Sequence, residues 1–399
     1  VVGGGFIGLE VAENLIEAGK SVTLVELGNQ VMAPVDFDIA SFLHAKAKEK
    51  GLELLLNTGV QKFRDTENGI EVYLNNGNVL NTDAVVLAIG VKPENQLAKN
   101  AQLTIGETGG ILVNAFLQTS NPDIYAVGDA IEVEHFIHRK KVLIPLAWPA
   151  NRQGRLVADN IVLGNTQKYS GTLGSSILKF FELTVASTGM NEKFLQRNHI
   201  PYQTAMVTRG HHAGYYPGAK TLLLKLLFDT QGAILGAQAV GEKGIDKRID
   251  IIATAIKGKL TIYDLPEIEV AYAPPFNSAK DPVNIAGYVA ENMLSGNLEM
   301  VHYHNFHAFV QEHNAIVLDV RTPQEFAAGH IEGAININVD NLRAQLGSMD
   351  KQRMYVVYCQ VGMRGYLAYK ILKNNGFKTV NLNGGYFLWA KVQAALSAI

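Results

Sequence analysis

The chain opens on a glycine-rich turn between a strand and a helix, and this turn constrains the fold more than any other feature. Gly3, Gly5 and Gly8 fit the pattern G-x-G-x-x-G, and an amphipathic helix follows that ends at Gly19. Glycines let a backbone approach a pyrophosphate closely, and the N-terminus of the helix stabilises its negative charge. The turn therefore predicts an α/β unit that binds a dinucleotide.

An acidic residue, Glu26, follows the second predicted strand of this unit. The apolar residues 21–25 are predicted to form the next strand, and Glu26 follows directly. A carboxylate there accepts hydrogen bonds from the adenosine ribose hydroxyls. Residues 27–31 contain no lysine or arginine that could bind a 2′-phosphate. We therefore expect NADH to be preferred over NADPH.

Composition narrows the class of protein. At about 100–200 residues per domain, the 399 residues suggest several domains. The hydrophobic share of 47% excludes a disordered chain. The 35 basic and 37 acidic residues nearly cancel, so nothing indicates a nucleic-acid partner. No apolar run approaches the roughly 20 residues that span a bilayer, so we expect no membrane span.

The pattern changes along the chain. Residues 1–113 alternate helices and strands and include an apolar run, 84–89, that predicts a buried parallel strand. This run ends at Gly90, which we expect to contact the ligand. A second short apolar stretch stops at Gly128 and Asp129, and a polar-faced helix follows.

The second half contains two further patterns. Residues 166–298 look α+β, and residues 299–399 restart an α/β pattern. The clearest predicted strands in these two segments are residues 222–228, 233–240, 316–320, 354–358 and 379–382.

Residues 3–10, 88–93 and 119–130 together resemble the flavin-dependent pyridine-nucleotide disulfide oxidoreductases. The resemblance implies that Asp129, next to Gly128, hydrogen-bonds the ribityl chain of FAD. It implies three domains, which are a Rossmann-like NADH-binding domain at 1–113, the C-terminal part of an FAD-binding domain at 114–165 and an α+β dimerisation domain at 166–298.

Residues 211–218 and 271–276 resemble the dimerisation domain of the coenzyme A-disulfide and persulfide reductases. In that branch one tyrosine from each segment reaches the active site of the partner subunit. The resemblance implies Tyr215 and Tyr272, with Tyr216 as the alternative to Tyr215. A phenol can donate a proton to a sulfur leaving group; otherwise these are structural interface tyrosines.

The start of the chain is short for a strand. Only Val1 and Val2 precede the first glycine, whereas strands usually run about 5–6 residues. We therefore expect the chain to be a fragment. The family keeps its first FAD motif and a reactive cysteine in an N-terminal flavin half, and we expect both to lie outside this chain.

The chain has one cysteine, Cys359, and it lies between the predicted strand 354–358 and a helix. Backbone N–H groups at the start of that helix, together with Arg364, favour the thiolate and can stabilise a persulfide. The alternative is an inert buried cysteine. A single cysteine excludes an intrachain disulfide and a cysteine-rich zinc fold.

Residues 359–364 resemble the active-site loop of rhodanese domains, which implies a C-terminal α/β rhodanese domain at 299–399. Residues 318–321 and 329–334 match the upstream motif, and residues 382–385 with Trp389 match the downstream one.

The rhodanese resemblance also implies roles for individual residues. Cys359 would accept sulfur and cycle between thiolate and persulfide, while Arg364 would bind the anionic donor or orient the loop. Asp319 and Arg321 would be structural. Gly365 stands where many members carry serine or threonine.

Several histidines precede or accompany these motifs, among them His302, His304 and His307. They form no clear ligand set for a closed metal site, so we expect no metal.

The sequence therefore predicts an NADH- and FAD-dependent reductase of coenzyme A disulfide, coenzyme A persulfide or polysulfide, coupled to a rhodanese sulfurtransferase domain. Coenzyme A enters as substrate or bound ligand, and we expect a cytoplasmic homodimer. Two alternatives stay open. One is an NADH oxidase or peroxidase on the same scaffold, and the other is a sulfur-relay module that delivers persulfide to a partner protein.

The preference for NADH can be measured in the full-length enzyme. Because Glu26 repels a 2′-phosphate, we expect the KM for NADH to be lower than the KM for NADPH. Steady-state kinetics with both nucleotides check this, and a lower KM for NADPH would contradict it.

Overall fold

A computed structural model describes residues 1–397. Contacts divide the chain into two units. The first comprises Val1–Ala88, Ile177–Ala186 and the chain from Asn191 onward, and the second comprises Ile89–Ser176 and Ser187–Met190. Among the described residues, no helix combines the length and apolarity that crossing a membrane requires.

The first unit begins with a small parallel sheet flanked by helices. Its elements are α1 (Phe6–Glu17), β1 (Thr23–Val25), α2 (Phe37–Glu49) and β2 (Glu53–Leu55). β1 pairs in parallel with β2, and Val2 forms parallel bridges with Val25 and Leu87. The glycine turn therefore follows a sheet position and opens α1, as the dinucleotide pattern predicts.

An antiparallel meander follows, formed by β3 (Val60–Thr66), β4 (Gly69–Leu74) and β5 (Val79–Thr82). The prediction of a buried strand at 84–89 is wrong. Within residues 1–397, only Val2 pairs with this run, through a single bridge. Because no second strand extends that pairing, Leu87 and Ile89 remain 58% and 73% exposed.

The second unit is small. Its elements are α3 (Gln96–Asn100), β6 (Ile111–Leu112), β7 (Ile131–Glu134), β8 (Lys141–Val142) and α4 (Ala147–Leu163). β6 pairs in parallel with β7, and β7 pairs antiparallel with β8. The strand predicted before Gly128 is only an isolated bridge between Gln118 and Tyr125, and a single 3₁₀ turn, Gly128–Ala130, follows it.

A five-stranded sheet forms the centre of the chain, in the order β11-β12-β13-β10-β9, and β11 lies at one edge. The predicted strand pair at 222–228 and 233–240 is confirmed as the antiparallel β12 and β13. The elements of this region are β9 (Ser176–Phe180), β10 (Leu183–Gly189), α5 (Glu192–Arg197), β11 (Gln203–Gly210), β12 (Thr221–Phe228), β13 (Ile234–Gly241), α6 (Ile245–Lys257) and α7 (Pro282–Leu294).

The last segment forms a parallel sheet in the order β14-β18-β17-β15-β16. Separate apolar clusters pack around it, one of them containing Cys359. The strand predicted at 354–358 is confirmed without change as β17. The elements are β14 (Met300–Val301), α8 (Tyr303–Glu312), β15 (Ile316–Asp319), α9 (Pro323–Ala327), β16 (Ile335–Asn336), α10 (Val339–Gln345), β17 (Met354–Tyr358), α11 (Met363–Asn374), β18 (Lys378–Leu382) and α12 (Gly385–Leu396).

A buried lysine joins separate segments of the first unit. The Nζ of Lys225, on β12, lies 3.0 Å from Asp36, 2.7 Å from Asp38 and 2.5 Å from Glu192. Burial alone would lower the pKa of Lys225, but the carboxylates raise it well above its ordinary value. Lys225 therefore stays charged and holds the starts of α2 and α5 against the sheet.

Replacing this lysine should destabilise the fold strongly. Lys225→Met leaves buried carboxylates without their cation, so we expect the free energy of unfolding to fall by about 3–5 kcal/mol. Urea unfolding followed by circular dichroism measures the change. The matched control is Lys220→Met, which removes a solvent-exposed pair with Glu242 and should cost less than about 1 kcal/mol. Equal losses for the two variants would contradict the role of Lys225.

Candidate functional site

The sulfur of Cys359 lies in a four-residue connection between β17 and α11. The Gly362 N–H donates a hydrogen bond to the Cys359 Sγ over 3.2 Å, and Cys359 is 1% exposed. Gly362 has a φ of +118°, a conformation that side chains rarely adopt. This turn points a backbone donor at the sulfur, which is the geometry that favours a thiolate or a persulfide.

The start of α12 supports the same loop from the other side. The Tyr386 N–H donates to the Cys359 carbonyl over 2.9 Å, and the Phe387 N–H donates to the Gln360 carbonyl over 3.0 Å. A Cβ added at Gly385 would lie 2.6 Å from the Cys359 oxygen. The backbone at Gly385 therefore packs directly on the backbone of the Cys359 loop, and only glycine leaves room for this contact.

Arg364 is held by a residue that the sequence analysis did not identify. Its Nη1 and Nη2 donate to the two carboxylate oxygens of Glu325 over 2.7 and 2.6 Å. The hydrogen bonds from Arg364 help lower the pKa of Glu325 to about 2, so this pair is ionised across the neutral range. Glu325 also forms a capping box with Thr322 at the start of α9. The pattern T-x-x-E before an apolar stretch could have revealed it.

Asp319 and Arg321 tie the surrounding segments together. The Nη2 of Arg321 lies 2.6 Å from Asp319, and both residues are buried. The same guanidinium donates to the Gln360 amide oxygen over 2.9 Å and to the Gly329 carbonyl over 2.7 Å. These contacts are consistent with the structural role that the resemblance implies.

A side chain at position 365 would not fit the observed packing. A Cβ added at Gly365 would lie 2.4 Å from the Oδ1 of Asn381, a buried atom that has no hydrogen-bond partner among the described residues. Asn381 therefore occupies the space next to the loop that a serine or threonine at position 365 would need.

The glycine turn at the start of the chain has the shape of a dinucleotide cradle. A Cβ at Gly8 would lie 1.9 Å from the Gly3 oxygen, so the helix and the strand approach each other closely there. No described atom lies within 4 Å of a Cβ added at Gly5. Glu26 accepts hydrogen bonds from the N–H groups of Gly4 and Gly28 over 2.6 and 2.7 Å. Open space above this turn and a carboxylate fixed beside it fit a dinucleotide.

Two of the predicted cofactor-binding glycines and Asp129 lie in the second unit. Gly90 and Gly128 have φ values of +97° and +78°. The Gly128 N–H donates to the amide oxygen of Gln153 over 2.7 Å, and Asp129 follows with its carboxylate exposed. An exposed carboxylate on a fixed turn fits the predicted contact with a ligand hydroxyl.

The structure brings two of the candidate tyrosines together. The hydroxyl oxygens of Tyr215 and Tyr272 lie 3.1 Å apart, and the two side chains are 76% and 48% exposed. This hydrogen bond raises the pKa of Tyr272. Tyr216 instead makes an edge contact with the ring of His212. Tyr215, and not Tyr216, is therefore the partner of Tyr272 in this structure.

The histidines make contacts with neighbouring side chains. His302 Nδ1 lies 3.2 Å from the Asn383 amide nitrogen, and His330 stacks on Phe326 with ring centroids 3.8 Å apart. Within residues 1–397, no group of three or more histidine, cysteine or acidic side chains could hold a metal ion.

Family models match most of the chain. The model for pyridine nucleotide-disulphide oxidoreductases matches residues 1–154, the model for the dimerisation domain of that family matches residues 175–282, and the rhodanese-like domain matches residues 303–392. These matches confirm the two resemblances and the predicted α/β fold class.

Two solved structures are similar to this chain over nearly all of its length. Reduced Bacillus anthracis CoADR-RHD is 48% identical, with a TM-score of 0.95 over 98% of this chain and 70% of that chain. An NAD-dependent persulfide reductase from A. fulgidus is 35% identical, with a TM-score of 0.90 over 97% of this chain and 71% of that chain.

A curated relative is the coenzyme A disulfide reductase of Staphylococcus aureus. It is 36% identical over 293 residues, which make up 73% of this chain and 65% of the relative. The chain thus spans a little less than two thirds of the length of that relative. On these matches, the chain belongs to the pyridine nucleotide-disulphide oxidoreductase family and carries a C-terminal rhodanese-like domain.

Proposed function

We propose that the protein is an NADH- and FAD-dependent reductase of coenzyme A disulfide, coenzyme A persulfide or polysulfide, whose rhodanese domain carries sulfur on Cys359. We propose that it acts as a homodimer, because the chain contains the family's dimerisation domain. The observation that carries the proposal is the Cys359 loop, where a backbone N–H is aimed at the sulfur.

The first unit supplies the nucleotide site. The glycine turn gives the backbone close access to a pyrophosphate, and Glu26, fixed by two backbone N–H groups, orients the ribose. Bound NADH and FAD would supply the two electrons that cleave a sulfur–sulfur bond. The named persulfide reductase and coenzyme A disulfide reductase relatives support this reaction class.

The tyrosine pair holds a proton for the reductive step. The Tyr272 hydroxyl is protonated at neutral pH like any tyrosine, and its hydrogen bond to Tyr215 raises its pKa further and fixes its direction. When a sulfur–sulfur bond is cleaved, the leaving thiolate needs a proton. The Tyr272 phenol, held by its hydrogen bond to Tyr215, can donate this proton.

Sulfur transfer at Cys359 needs no net oxidation. The Cys359 thiolate attacks the outer sulfur of a persulfide donor, a new Sγ–S bond forms, the donor S–S bond breaks, and the donor leaves as a thiolate. The Gly362 N–H stabilises the negative charge near Sγ in both states. Arg364 is fixed by Glu325 and also interacts with Cys359, so it would orient the loop or bind the anionic donor.

Removing the sulfur of Cys359 tests the coupled function. In the full-length enzyme, Cys359→Ala should lower sulfurtransferase activity with thiosulfate and cyanide at least 100-fold and reduce polysulfide turnover. NADH oxidation with a quinone acceptor serves as the control and should stay unchanged. If both sulfur activities survive, the coupled function fails. If sulfur transfer is lost but NADH does not reduce coenzyme A persulfide, the chain is a sulfur relay.

The hydrogen bond between the tyrosines can be tested separately. Tyr215→Phe removes the partner of Tyr272, so the pKa of Tyr272 should move down towards its ordinary value. The ¹³Cζ NMR signal of Tyr272, assigned with Tyr272→Phe and followed during an alkaline titration, measures this pKa separately from the other tyrosines. Tyr216→Phe is the matched control and should leave it unchanged. An unchanged pKa in Tyr215→Phe would remove the basis for the proton-holding pair.

A further inference from the structure

The outer edge of β11 already binds one carboxamide. The side-chain N–H of Asn383 donates to the Thr204 carbonyl over 2.7 Å, and its amide oxygen accepts from the Met206 N–H over 3.2 Å. Asn383 follows β18 in the rhodanese part, so a side-chain amide occupies the place that a neighbouring strand would take at this sheet edge.

The next position along the edge is open. In a β-strand the N–H and C=O of one residue point to the same side, and alternate residues share that side. The Thr204 C=O and the Met206 N–H, which bind Asn383, point away from β12. The Met206 C=O and the N–H and C=O of Thr208 therefore point away from β12 as well. Within residues 1–397, no hydrogen bond from outside the strand reaches these three groups.

A cavity of about 310 Å³ borders this open edge. β11 and α7 form one wall, and the Cys359 loop with the ends of β14 and β18 forms the other. The residues that the argument uses are Met206, Thr208, Val289, Met300, Gly362 and Met363. The volume suits a small molecule and is too small for a protein segment of several residues.

Two buried polar side chains at this cavity have no partner. Thr208 Oγ1 and Asn381 Oδ1 make no hydrogen bond among the described residues, and the two residues are 4% and 2% exposed. Buried polar groups in native proteins are nearly always hydrogen-bonded. Both atoms are shielded from solvent and do not open into the cavity, so the unpaired backbone groups on the edge of β11 are what indicate that a polar group of a ligand belongs here.

We propose that this cavity binds a small apolar molecule that carries a secondary amide. Its N–H and C=O would pair with the edge of β11 at Thr208, as the amide of Asn383 does at Thr204 and Met206. The remaining lining is largely apolar and accepts the body of the molecule. The only charged lining residues in the described chain, Arg209 and Lys280, are cations, so an ammonium group is disfavoured.

The occupant would also contact the sulfur site. Gly362 lines the cavity, and its N–H holds the Cys359 Sγ. An occupied cavity therefore restrains the loop that must move for the buried sulfur to react. The binding step is independent of the function proposed above, and only its effect on sulfur transfer rests on that function.

The methionines provide the binding measurement. The chain has eight, and Met206, Met300 and Met363 line the cavity, whereas Met32 and Met190 are buried elsewhere. With ¹³C-methyl methionine in the whole chain, N-isobutylisobutyramide should shift the three cavity signals and leave the two reference signals in place. Its ester analogue, isobutyl isobutyrate, has nearly the same shape but no N–H and should bind at least 10-fold more weakly.

A filled cavity provides the matched variant. Val289→Trp places an indole in the cavity and should abolish the shifts. Val310→Trp changes another half-buried helical valine, outside the cavity, and should retain them. Equal affinity for amide and ester, or shifts at all methionines alike, would overturn the proposal even if Val289→Trp does not fold.

The effect on sulfur is read separately. Since Cys359 is the only cysteine, alkylation by iodoacetate reports on it alone. Saturating amide should slow alkylation at least threefold in the wild-type chain and not in Val289→Trp. Amide binding with an unchanged alkylation rate would overturn the coupling to Cys359 while the amide site stands.

Discussion

The first unit depends on one buried cation. Lys225 lies inside an otherwise apolar strand and meets carboxylates from two other segments. Burial raises the pKa of Asp38 to about 6, Asp36 and Glu192 add to this rise, and Lys225 opposes it. The start of α2, the central sheet and α5 can keep their relative positions only while this charge is balanced, because unpaired buried charges are strongly destabilising.

The sulfur site is built in a different way, mainly from backbone. An N–H from Gly362 faces the sulfur, and N–H groups from the start of α12 hold the carbonyls of the loop. The charged side chains, Arg321 and Arg364, are each paired with a carboxylate, and Arg364 also interacts with Cys359. Such a site preserves the shape around the sulfur when its charge changes, since backbone dipoles need no reorientation.

Much of this could be predicted from local patterns. The glycine turn, the position of Glu26 and the strand before Cys359, with its loop at the start of a helix, all depend on neighbouring residues and are predicted correctly as structure. The strand at 84–89 was not, because a continuous apolar run indicates burial only if other segments cover it. The partners of Lys225 and Arg364 were missed because they are distant in sequence. Asp38 is 187 residues from Lys225, and Glu325 is 39 residues from Arg364. Contacts over such separations are set by the tertiary fold and leave little trace in the local sequence.

The carboxamide of Asn383 has a consequence beyond the site. A sheet edge with unpaired N–H and C=O groups is a template for aggregation, and proteins usually cover such edges. Here a single side chain from the rhodanese part covers the edge of β11 at Thr204 and Met206. The C-terminal part therefore also covers part of the edge of the central sheet. A shortened chain that ended before it would expose unpaired backbone groups of β11, which could pair with another copy of the chain.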